Sequence, residues 1–506
     1  MTTWLQNIAD AAPAAHPAII DHDGAVFSYG QLRAGAKEIA VSLRTHGVRP
    51  GDRVMLACEN CAAYVGALLA LAALDAWILP INARHSAAEL DAIAIHSGAR
   101  AIVFSPAASP DAASHAARLS TAPLGATGLG PLAVTPCEDS AAEPVGPEPD
   151  ARIAALLYTT GTTSAPKGVL LTHANLIWNA ETSARLRGMT PGDVVLGVLP
   201  GSHIFGFSST ILAALHAGST LRLIPRFTPE AVLRAFAEGA SVLPAVPQMY
   251  ERVLTHLDRT GAALLAPKLR YISAGGAPLD PDLKAQTEAV FGLTLNNGYG
   301  ITECAPGVAA TRPGHPRSDV SVGTAMEDVE LTIDAPDAEG VGEILIRSPG
   351  VMKGYYRNPH ATAAALPEPG LFRSGDLGRI DPDGTVHVLG RKKELIIRSG
   401  FNVHPPEIEG MLTRHPDVLQ AAVVGRRVGA NEEILAFVMA RGGLTDAALA
   451  DWLEPRLVAY KRPQRIVIAE SLPTAPTGKI LKHKLIDHFT AELDQRLQLP
   501  QGDPAA

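Results

Sequence analysis

The chain has 506 residues, of which 47% are hydrophobic and 19% charged, with a formal net charge of −8 at pH 7. This length exceeds a single hydrophobic core, so at least two domains are expected, and the acidic balance argues against a nucleic-acid-binding protein. The longest apolar stretch, residues 64–81, is broken by Asp75 and Pro80 before the roughly 20 residues that a membrane helix needs. Residues 1–17 lack a signal-peptide pattern and cysteines are few, so we expect a cytoplasmic protein without a transmembrane segment.

Helical and strand-like patterns alternate over residues 1 to about 105. This alternation indicates a parallel sheet with helices on both faces. Residues 106–150 are rich in Ala, Pro, Ser and acidic side chains, and we predict a surface connection there. The predicted helices cover residues 29–44, 60–74 and 87–96, and the predicted strands cover residues 53–58, 76–81 and 101–104.

A strand is predicted at residues 153–157, and the alternation then resumes as a second doubly wound unit. Its predicted strands cover residues 194–199, 220–224, 241–245, 271–273 and 294–296. From about residue 320 to 390 the hydrophobic period becomes two, and Asp383-Gly384 is a hairpin signal, so an antiparallel or barrel-like subdomain is expected.

A smaller α+β pattern follows Arg391. We therefore predict an α/β protein with two domains. The N-terminal domain, residues 1–390, consists of doubly wound sheets plus a β-barrel-like subdomain at about 320–390. The C-terminal domain, residues 391–506, is small, mobile and α+β.

The loop from Tyr158 to Gly168, YTTGTTSAPKG, leaves the strand predicted at 153–157. Glycine lets backbone N–H groups turn around an anion, hydroxyls donate further hydrogen bonds, and Lys167 adds a positive charge. The spacing is not that of a Walker A loop. The pattern favours a polyphosphate site, with an ordinary polar turn as the alternative.

Further motifs combine chemistry that suits a nucleotide. In Asn297–Glu303, NGYGITE, Tyr299 offers an aromatic face for a purine, Thr302 a donor for phosphate and Glu303 a ligand for Mg²⁺. Asp376 is a lone acid in a small, apolar setting and suits ribose hydroxyls. A strand-end turn and a turn cap are the respective alternatives. Gly390–Glu394 is a charge run, and Pro476–Lys479 places a lysine on a tight turn.

In this order and at these intervals, the motifs resemble those of the adenylate-forming superfamily. It includes acyl-CoA synthetases, aryl-CoA ligases, firefly luciferase and peptide-synthetase adenylation domains, and the chain is most like a free-standing acyl-CoA synthetase. The resemblance runs from about Phe27 to Lys484. Further matching segments are residues 199–206, 246–250, 273–279 and 398–405.

The resemblance implies a role for each matching residue. Lys479 would bridge the substrate carboxylate and the α-phosphate, Thr302 would contact the α-phosphate, Glu303 would ligate Mg²⁺, and His203 would gate the acyl pocket. Lys393 matches the hinge, and Gly400 lies where the pantetheine tunnel forms. The other implied nucleotide contacts are Thr159, Thr160, Gly161, Thr162, Thr163 and Lys167 for the β- and γ-phosphates, Gly275, Gly276, Ala277, Pro278, Tyr299 and Gly300 for adenine, and Asp376 and Arg391 for ribose.

The implied reaction is ATP-dependent activation of a carboxylic acid to an acyl-adenylate, followed by thioester formation with CoA and release of AMP and pyrophosphate. Two anions must meet, so cations and aligned donors are needed rather than a general base. The small domain must bring Lys479 to the active site for the first step and the Gly400 region for the second. Because these residues lie on different parts of that domain, the family rotates the domain between the two steps. Loading of a separate carrier protein and a non-catalytic binding role are the alternatives, and a homodimer is left open.

The acyl pocket is expected around His203, Phe205, Ser209, Gly275, Gly298, Pro306 and Gly307. No Asp lies in residues 201–209 to bind an α-ammonium group, which disfavours amino acids, and no arginine in the pocket segments is evident for a second carboxylate. A fatty or aromatic monocarboxylic acid is therefore expected. Two departures from the family pattern stand out: Ser164 replaces a usual glycine, and Ile397 replaces a lysine found in some aryl-CoA ligases.

Overall fold

The computed structural model describes residues 4–125, 127–159, 167–398, 401–428, 431–474 and 480–495. Two large sheets, an antiparallel sheet and a smaller C-terminal α/β unit make up the fold. None of the described helices is both long and apolar enough to cross a membrane.

The first sheet has eight strands and a parallel centre in which every side chain of Arg53–Cys58 and Trp77–Asn82 is buried. Strands buried on both faces are typical of a doubly wound unit. Across the sheet, the strands are Gly354–Tyr355, Lys167–Thr172, Ile153–Thr159, Trp77–Asn82, Arg53–Cys58, Ala101–Phe104, Ala133–Val134 and Ala122–Pro123.

The second sheet has nine strands, of which those from Pro17–Ile20 to Leu295–Gly300 are parallel neighbours. Across the sheet, the strands are Thr324–Ala325, Gly307–Ala310, Leu295–Gly300, Tyr271–Gly275, Val242–Ala245, Val194–Gly197, Thr220–Leu223, Pro17–Ile20 and Val26–Ser28.

Helices surround these sheets. Ala62–Ala73 is hydrophobic on all sides and buried throughout its first eleven residues, as expected for a helix enclosed by the core. The other helices of this part are Tyr29–His46, Ala87–Ser97, Pro110–Arg118, His173–Leu186, Ile204–Gly206, Phe207–Leu212 (a π-helix), Ala213–His216, Pro229–Ala237, Pro247–Thr260, Pro281–Phe291 and Pro359–Ala365, with short 3₁₀ turns at Leu5–Asn7 and Thr302–Cys304.

The antiparallel sheet contains Glu330–Asp334, Gly342–Arg347, Leu371–Ile380 and Val386–Arg391, in that order. The predicted Asp383-Gly384 turn joins the last two strands, and Gly384 has a φ of +83°, which suits a tight hairpin. The outer strands, Glu330–Asp334 and Val386–Arg391, form the two edges of an open sheet rather than a closed barrel.

The C-terminal unit has a three-stranded sheet of Val418–Val428, Asn431–Ala440 and Arg465–Ala469 and a strand pair, Ile396–Arg398 with Phe401–Val403. Its helices are Pro405–Thr413, Asp446–Leu453, Leu485–His488 and Thr490–Gln495, with 3₁₀ turns at Lys392–Glu394, Ala459–Lys461 and Lys482–Lys484. The α/β fold class is confirmed. The domain boundary at residues 390–391 stays a prediction, and the nearest strand ends one residue beyond it, at Arg391.

Three details differ from the sequence predictions. Pro17–Ile20 is an unpredicted strand that pairs in parallel with Thr220–Leu223, so the start of the chain belongs to the second sheet. Ile153–Thr159 and Lys167–Thr172 form an antiparallel pair in the first sheet instead of opening the second. The supposed connection contains the helix Pro110–Arg118, whose start is capped by the Ser109 side chain accepting from Ala112 N–H.

Candidate active site

A cavity of about 820 Å³ lies where both large sheets and the antiparallel sheet meet. Its volume suits a drug-sized ligand. The structure brings most of the sequence-predicted residues to its wall: Thr159, Lys167, His203, Gly275, Gly276, Tyr299, Gly300, Thr302, Glu303 and Arg391.

The remaining predicted residues lie elsewhere. Asp376 is buried at the edge of the cavity, where it contacts the lining residues Tyr299 and Arg391. Ala277 and Pro278 continue the loop after Gly276. Thr160, Gly161, Thr162, Thr163, Gly400 and Lys479 fall outside the described residues, as does Ser164.

Backbone rather than side chains forms one wall of the cavity. Tyr271–Gly275 and Leu295–Gly300 run in parallel with Gly275 opposite Gly298, so both carboxyl ends open at the same edge. Gly276 has a φ of +78°, which a side chain would strain, and a Cβ on Gly300 would lie 2.6 Å from the Pro306 carbonyl oxygen. The resulting narrow, backbone-lined wall fits a flat base such as adenine.

Thr302 and Glu303 stand on a tight turn that leaves this wall. Ile301 N–H donates to the Pro306 carbonyl over 3.0 Å, and Ala305 N–H donates to the Thr302 carbonyl over 3.1 Å. The turn therefore holds the hydroxyl and the carboxylate at fixed positions on the cavity wall.

Lys167 and Glu303 are linked through Tyr355, which the sequence did not single out. The Tyr355 hydroxyl donates to Glu303 Oε1 over 2.8 Å, and Lys167 Nζ lies 4.7 Å from the centre of the Tyr355 ring. Burial and then the Glu303 carboxylate raise the pKa of Tyr355 well above its usual range, so it stays a donor. One carboxylate fits an Mg²⁺ ion whose other ligands are substrate phosphates and water, and the lysine would bind the same phosphates.

A second cluster joins Tyr299, Asp376 and Arg391. The Tyr299 hydroxyl donates to Asp376 Oδ2, and Arg391 Nε lies 3.3 Å from Asp376 Oδ1. Burial lowers the pKa of Arg391, but the carboxylates of Asp376, Glu394 and Glu303 outweigh it and raise that pKa overall. The carboxylate and guanidinium are thus fixed beside the aromatic ring.

Glu343, a buried acid that the sequence did not single out, supports the same side. Its Oε2 accepts from Arg373 over 2.6 Å and from Lys392 over 3.0 Å, and its Oε1 accepts from Gly375 N–H over 3.2 Å. Burial acts to raise the pKa of Glu343, but these donors outweigh it and hold the pKa below its usual value. Glu343 therefore ties the loop before Asp376 to the residue preceding Lys393.

His203 begins the short helix Ile204–Gly206, where its Nδ1 accepts from Phe205 N–H over 3.3 Å. The loop before it is fixed by Tyr64, whose hydroxyl donates to the Gly201 carbonyl over 2.7 Å. Close packing also constrains Gly206, because a Cβ there would lie 2.2 Å from the Pro200 carbonyl oxygen. His203 and Phe205 are thereby held on the cavity wall.

The inner part of the cavity has apolar walls and a polar floor. Phe205, Ile204, Ile301, Leu186 and Met326 are among the wall residues. We call Ser183, Arg187, Ser209, Tyr271 and Ser273 the polar floor; all five line the cavity and are buried.

The sequence analysis placed Ser209 in the acyl pocket but missed Arg187, because Arg187 lies outside the segments searched for arginine. A signal was present: Asn175, Asn179, Ser183 and Arg187 recur every four residues along one helix face. Asn179 is buried and donates to Ser208 Oγ over 2.7 Å and to Ser209 Oγ over 3.1 Å, so this polar face points inward.

Family models match most of the chain. The model described as AMP-binding enzyme matches residues 5–356, and that described as AMP-binding enzyme C-terminal domain matches residues 407–479. The chain belongs to the AMP-binding enzyme family. The adenylate-forming resemblance is confirmed, and the protein is a member of the AMP-forming acid–thiol (CoA) ligases.

Relatives span nearly the whole length of this family member. Feruloyl-CoA synthase of an Amycolatopsis species is 34% identical over 499 residues, covering 96% of this chain and 98% of the relative. 4-Coumarate–CoA ligase 3 of Oryza sativa is 32% identical over 519 residues, covering 97% of this chain and 93% of the relative.

Solved structures of related enzymes have the same fold. ATP-bound MatB of Rhodopseudomonas palustris superposes with a TM-score of 0.80 at 28% identity, covering 97% of this chain and 99% of that one. o-Succinylbenzoate CoA synthetase (MenE) of Bacillus subtilis, in complex with its acyl-adenylate intermediate, gives a TM-score of 0.82 at 27% identity, covering 96% of this chain and 98% of that one. The same enzyme has also been solved with ATP and magnesium.

Proposed function

We propose that the protein activates an aromatic carboxylic acid with ATP and transfers the acyl group to CoA. One observation carries this proposal: a single cavity joins the Lys167–Tyr355–Glu303 and Tyr299–Asp376–Arg391 clusters to a chamber with apolar walls. The two clusters suit a nucleoside triphosphate, and the chamber suits the body of an organic acid.

The nucleotide is held along the edge formed by the strand ends. Tyr299 and the glycine-lined wall contact adenine, and Asp376 and Arg391 bind the ribose hydroxyls. Lys167, together with Thr159 and the loop that follows it, binds the β- and γ-phosphates. Glu303 would hold Mg²⁺ with phosphate oxygens, and the ion's charge would neutralise those phosphates.

The first step is attack of the acid's carboxylate oxygen on the α-phosphate, with pyrophosphate as the leaving group. Both reactants are anions, so the protein's contribution is positioning and charge stabilisation. Thr302 donates to the α-phosphate, and Lys479 bridges it to the carboxylate. The CoA thiol then attacks the acyl carbon and AMP leaves, with the Gly400 segment lining the approach of CoA.

An aromatic acid is favoured over a fatty acid for two reasons. Relatives at 34% and 32% identity are a feruloyl-CoA synthase and a 4-coumarate–CoA ligase. The Phe205 ring also lines the chamber and packs against Gly275, 3.3 Å from where a Cβ would stand, so it offers an aromatic face to the body of the acid.

A pyrophosphate-release screen over carboxylic acids, run with and without CoA, tests the proposal. We expect release that depends on an aromatic acid and a thioester that depends on CoA. Glu303→Gln should lose the activity, and Glu330→Gln, on an exposed strand position, is the matched control. Release without a thioester would point to a carrier protein as acceptor, and no release with any acid would overturn the proposal.

A further inference from the structure

Arg187 is only 6% exposed in the polar floor, and its guanidinium has few protein partners. Its Nη1 donates to the Ser209 carbonyl, and the guanidinium also interacts with the Tyr271 phenol, whose oxygen is the acceptor. Its Nε is buried without a hydrogen-bond partner. A buried cation with unused donors is costly unless an anion joins it.

No protein carboxylate supplies that anion within the described part of the chain. The groups that raise the pKa of Arg187, against the lowering effect of burial, are the phenols of Tyr271 and Tyr250. The acid on the adjoining loop, Asp193, is already engaged: it accepts from Arg270 at two positions, both over 2.7 Å, and from Ser241 over 2.8 Å.

Arg53 shows what a purely structural buried arginine looks like in this protein. It is 1% exposed, and its three nitrogens donate to four carbonyl oxygens and to Ser140 Oγ, so every nitrogen has an acceptor. Arg187 lacks such a set. Among the described residues Arg187 Nε has no such acceptor, so a bound ligand can supply one.

The rest of the floor is also rich in donors. Ser273 Oγ is buried without a partner, and Ser183 and Tyr271 contribute two more hydroxyls to the same region. An acceptor that carries negative charge therefore fits the floor better than an alkyl group. The cavity that Lys167 and Thr302 line also includes this floor, so an acid whose carboxylate reacts beside Thr302 can extend to the floor.

We propose that the acid carries a second carboxylate at its distal end, and that Arg187 binds it, with Ser273 donating to the same group. The inference rests on the proposed function, because the first carboxylate must occupy the reacting end. It revises the expectation of a monocarboxylic acid and makes the preferred substrate a dicarboxylic acid with an apolar body.

The test compares matched acids on the wild-type protein. One pair is 4-carboxycinnamate and 4-methylcinnamate, and aliphatic pairs are α,ω-diacids and monoacids of equal length. We expect kcat/KM with CoA to favour the diacid of the best pair by at least about 30-fold, since a site built for a charged partner rejects analogues lacking it. Preference for the monoacid in every pair, or for 4-hydroxycinnamate over 4-carboxycinnamate, would overturn the inference while leaving the proposed function standing.

Arg187→Met removes the charge and keeps an apolar side chain of similar length. We expect the diacid-to-monoacid ratio of kcat/KM to fall at least tenfold, whereas Arg185→Met, an exposed arginine two residues away, should leave the ratio unchanged. An ATP-induced rise in unfolding temperature checks that each variant is folded. If Arg187→Met lowers kcat/KM for the diacid and the monoacid by the same factor, while ATP still raises the unfolding temperature of the variant, Arg187 is structural and the inference fails.

Discussion

The Tyr355 hydroxyl donates a hydrogen bond of 2.8 Å to Glu303 Oε1. This contact orients the carboxylate proposed to hold Mg²⁺ and leaves its second oxygen for the ion. The same ring lies beside Lys167 Nζ, so one buried side chain contacts both the carboxylate and the ammonium group at the phosphate end.

Removing the Tyr355 hydroxyl should weaken Mg²⁺ binding. We expect Tyr355→Phe to raise the Mg²⁺ concentration at half-maximal pyrophosphate release by about 10- to 100-fold, the range for losing a group that orients a metal ligand. A Mg²⁺ titration at saturating ATP and acid measures this. Tyr356→Phe is the matched control, because that hydroxyl donates to Glu143 instead; equal shifts in both variants would contradict the role of Tyr355.

Asp376 should govern nucleotide binding rather than acid binding. Asp376→Asn removes the charge that faces Arg391 and accepts from Tyr299, so we expect the KM for ATP to rise about tenfold or more. Steady-state titrations of ATP and of the acid separate the two effects. Asp381→Asn, which alters contacts with His387 and Arg379 that lie outside the cavity lining, should change neither. A rise confined to the KM of the acid would show that Asp376 is misassigned.

Lys479, outside the described residues, should act in one half-reaction only. Lys479→Ala is expected to slow acyl-adenylate formation by roughly 10² or more, the scale for losing one charge-stabilising donor. Conversion of supplied acyl-adenylate to thioester should be largely retained. Lys484→Ala, an exposed lysine nearby, is the control. Equal losses in both half-reactions would mean that the lysine does not act selectively in adenylation.

Low pH should reduce the free energy of unfolding, because His173 is buried in its neutral form. Its Nδ1 accepts from Leu5 N–H over 3.1 Å, and burial lowers its pKa from 6.5 to about 4. Below about pH 6.5 the unfolded chain binds a proton that the folded protein excludes, so stability falls as the pH drops toward 4, by about 3 kcal/mol in total.

Denaturation midpoints at about pH 7.5 and about pH 5 measure this loss. His173→Gln should show a smaller drop between the two conditions than the wild type. His483→Gln, an exposed histidine, should keep the wild-type drop. A pH dependence that is identical in wild type and His173→Gln would rule out this histidine as the cause.

The nucleotide end of the cavity could be predicted because its chemistry lies in short contiguous motifs that follow strands. Asn297–Glu303 is one such motif, and its turn places Thr302 and Glu303 where a local interpretation expects them. Their roles stay predictions. Most strands and helices of the parallel units were also predictable, since apolar runs and helical spacing are local properties of the sequence.

Tyr355 and Arg187 could not be found in this way, because their roles depend on pairing between distant segments. Tyr355 reaches Glu303 only because Gly354–Tyr355 joins the edge of the first sheet, with Tyr355 opposite Val169. Arg187 shows its four-residue spacing locally, but Tyr271 and Ser273 reach it from the second sheet. The strand Pro17–Ile20 likewise pairs with residues about 200 positions away.

The strand Lys167–Thr172 and the helix His173–Leu186 are nearly equal in length. Six strand residues extend about 20 Å, and fourteen helical residues extend about 21 Å. The chain leaves the cavity at Lys167 and lines it again from Ser183 to Arg187, so this strand–helix unit sets the distance between the proposed phosphate site and the proposed site for the far end of the acid. Inserting one residue in the helix would turn Arg187 by about 100° and advance it by about 1.5 Å. Acid length would then be set by a helix that carries no reacting group, and substrate range could change through insertions far from the bond being made.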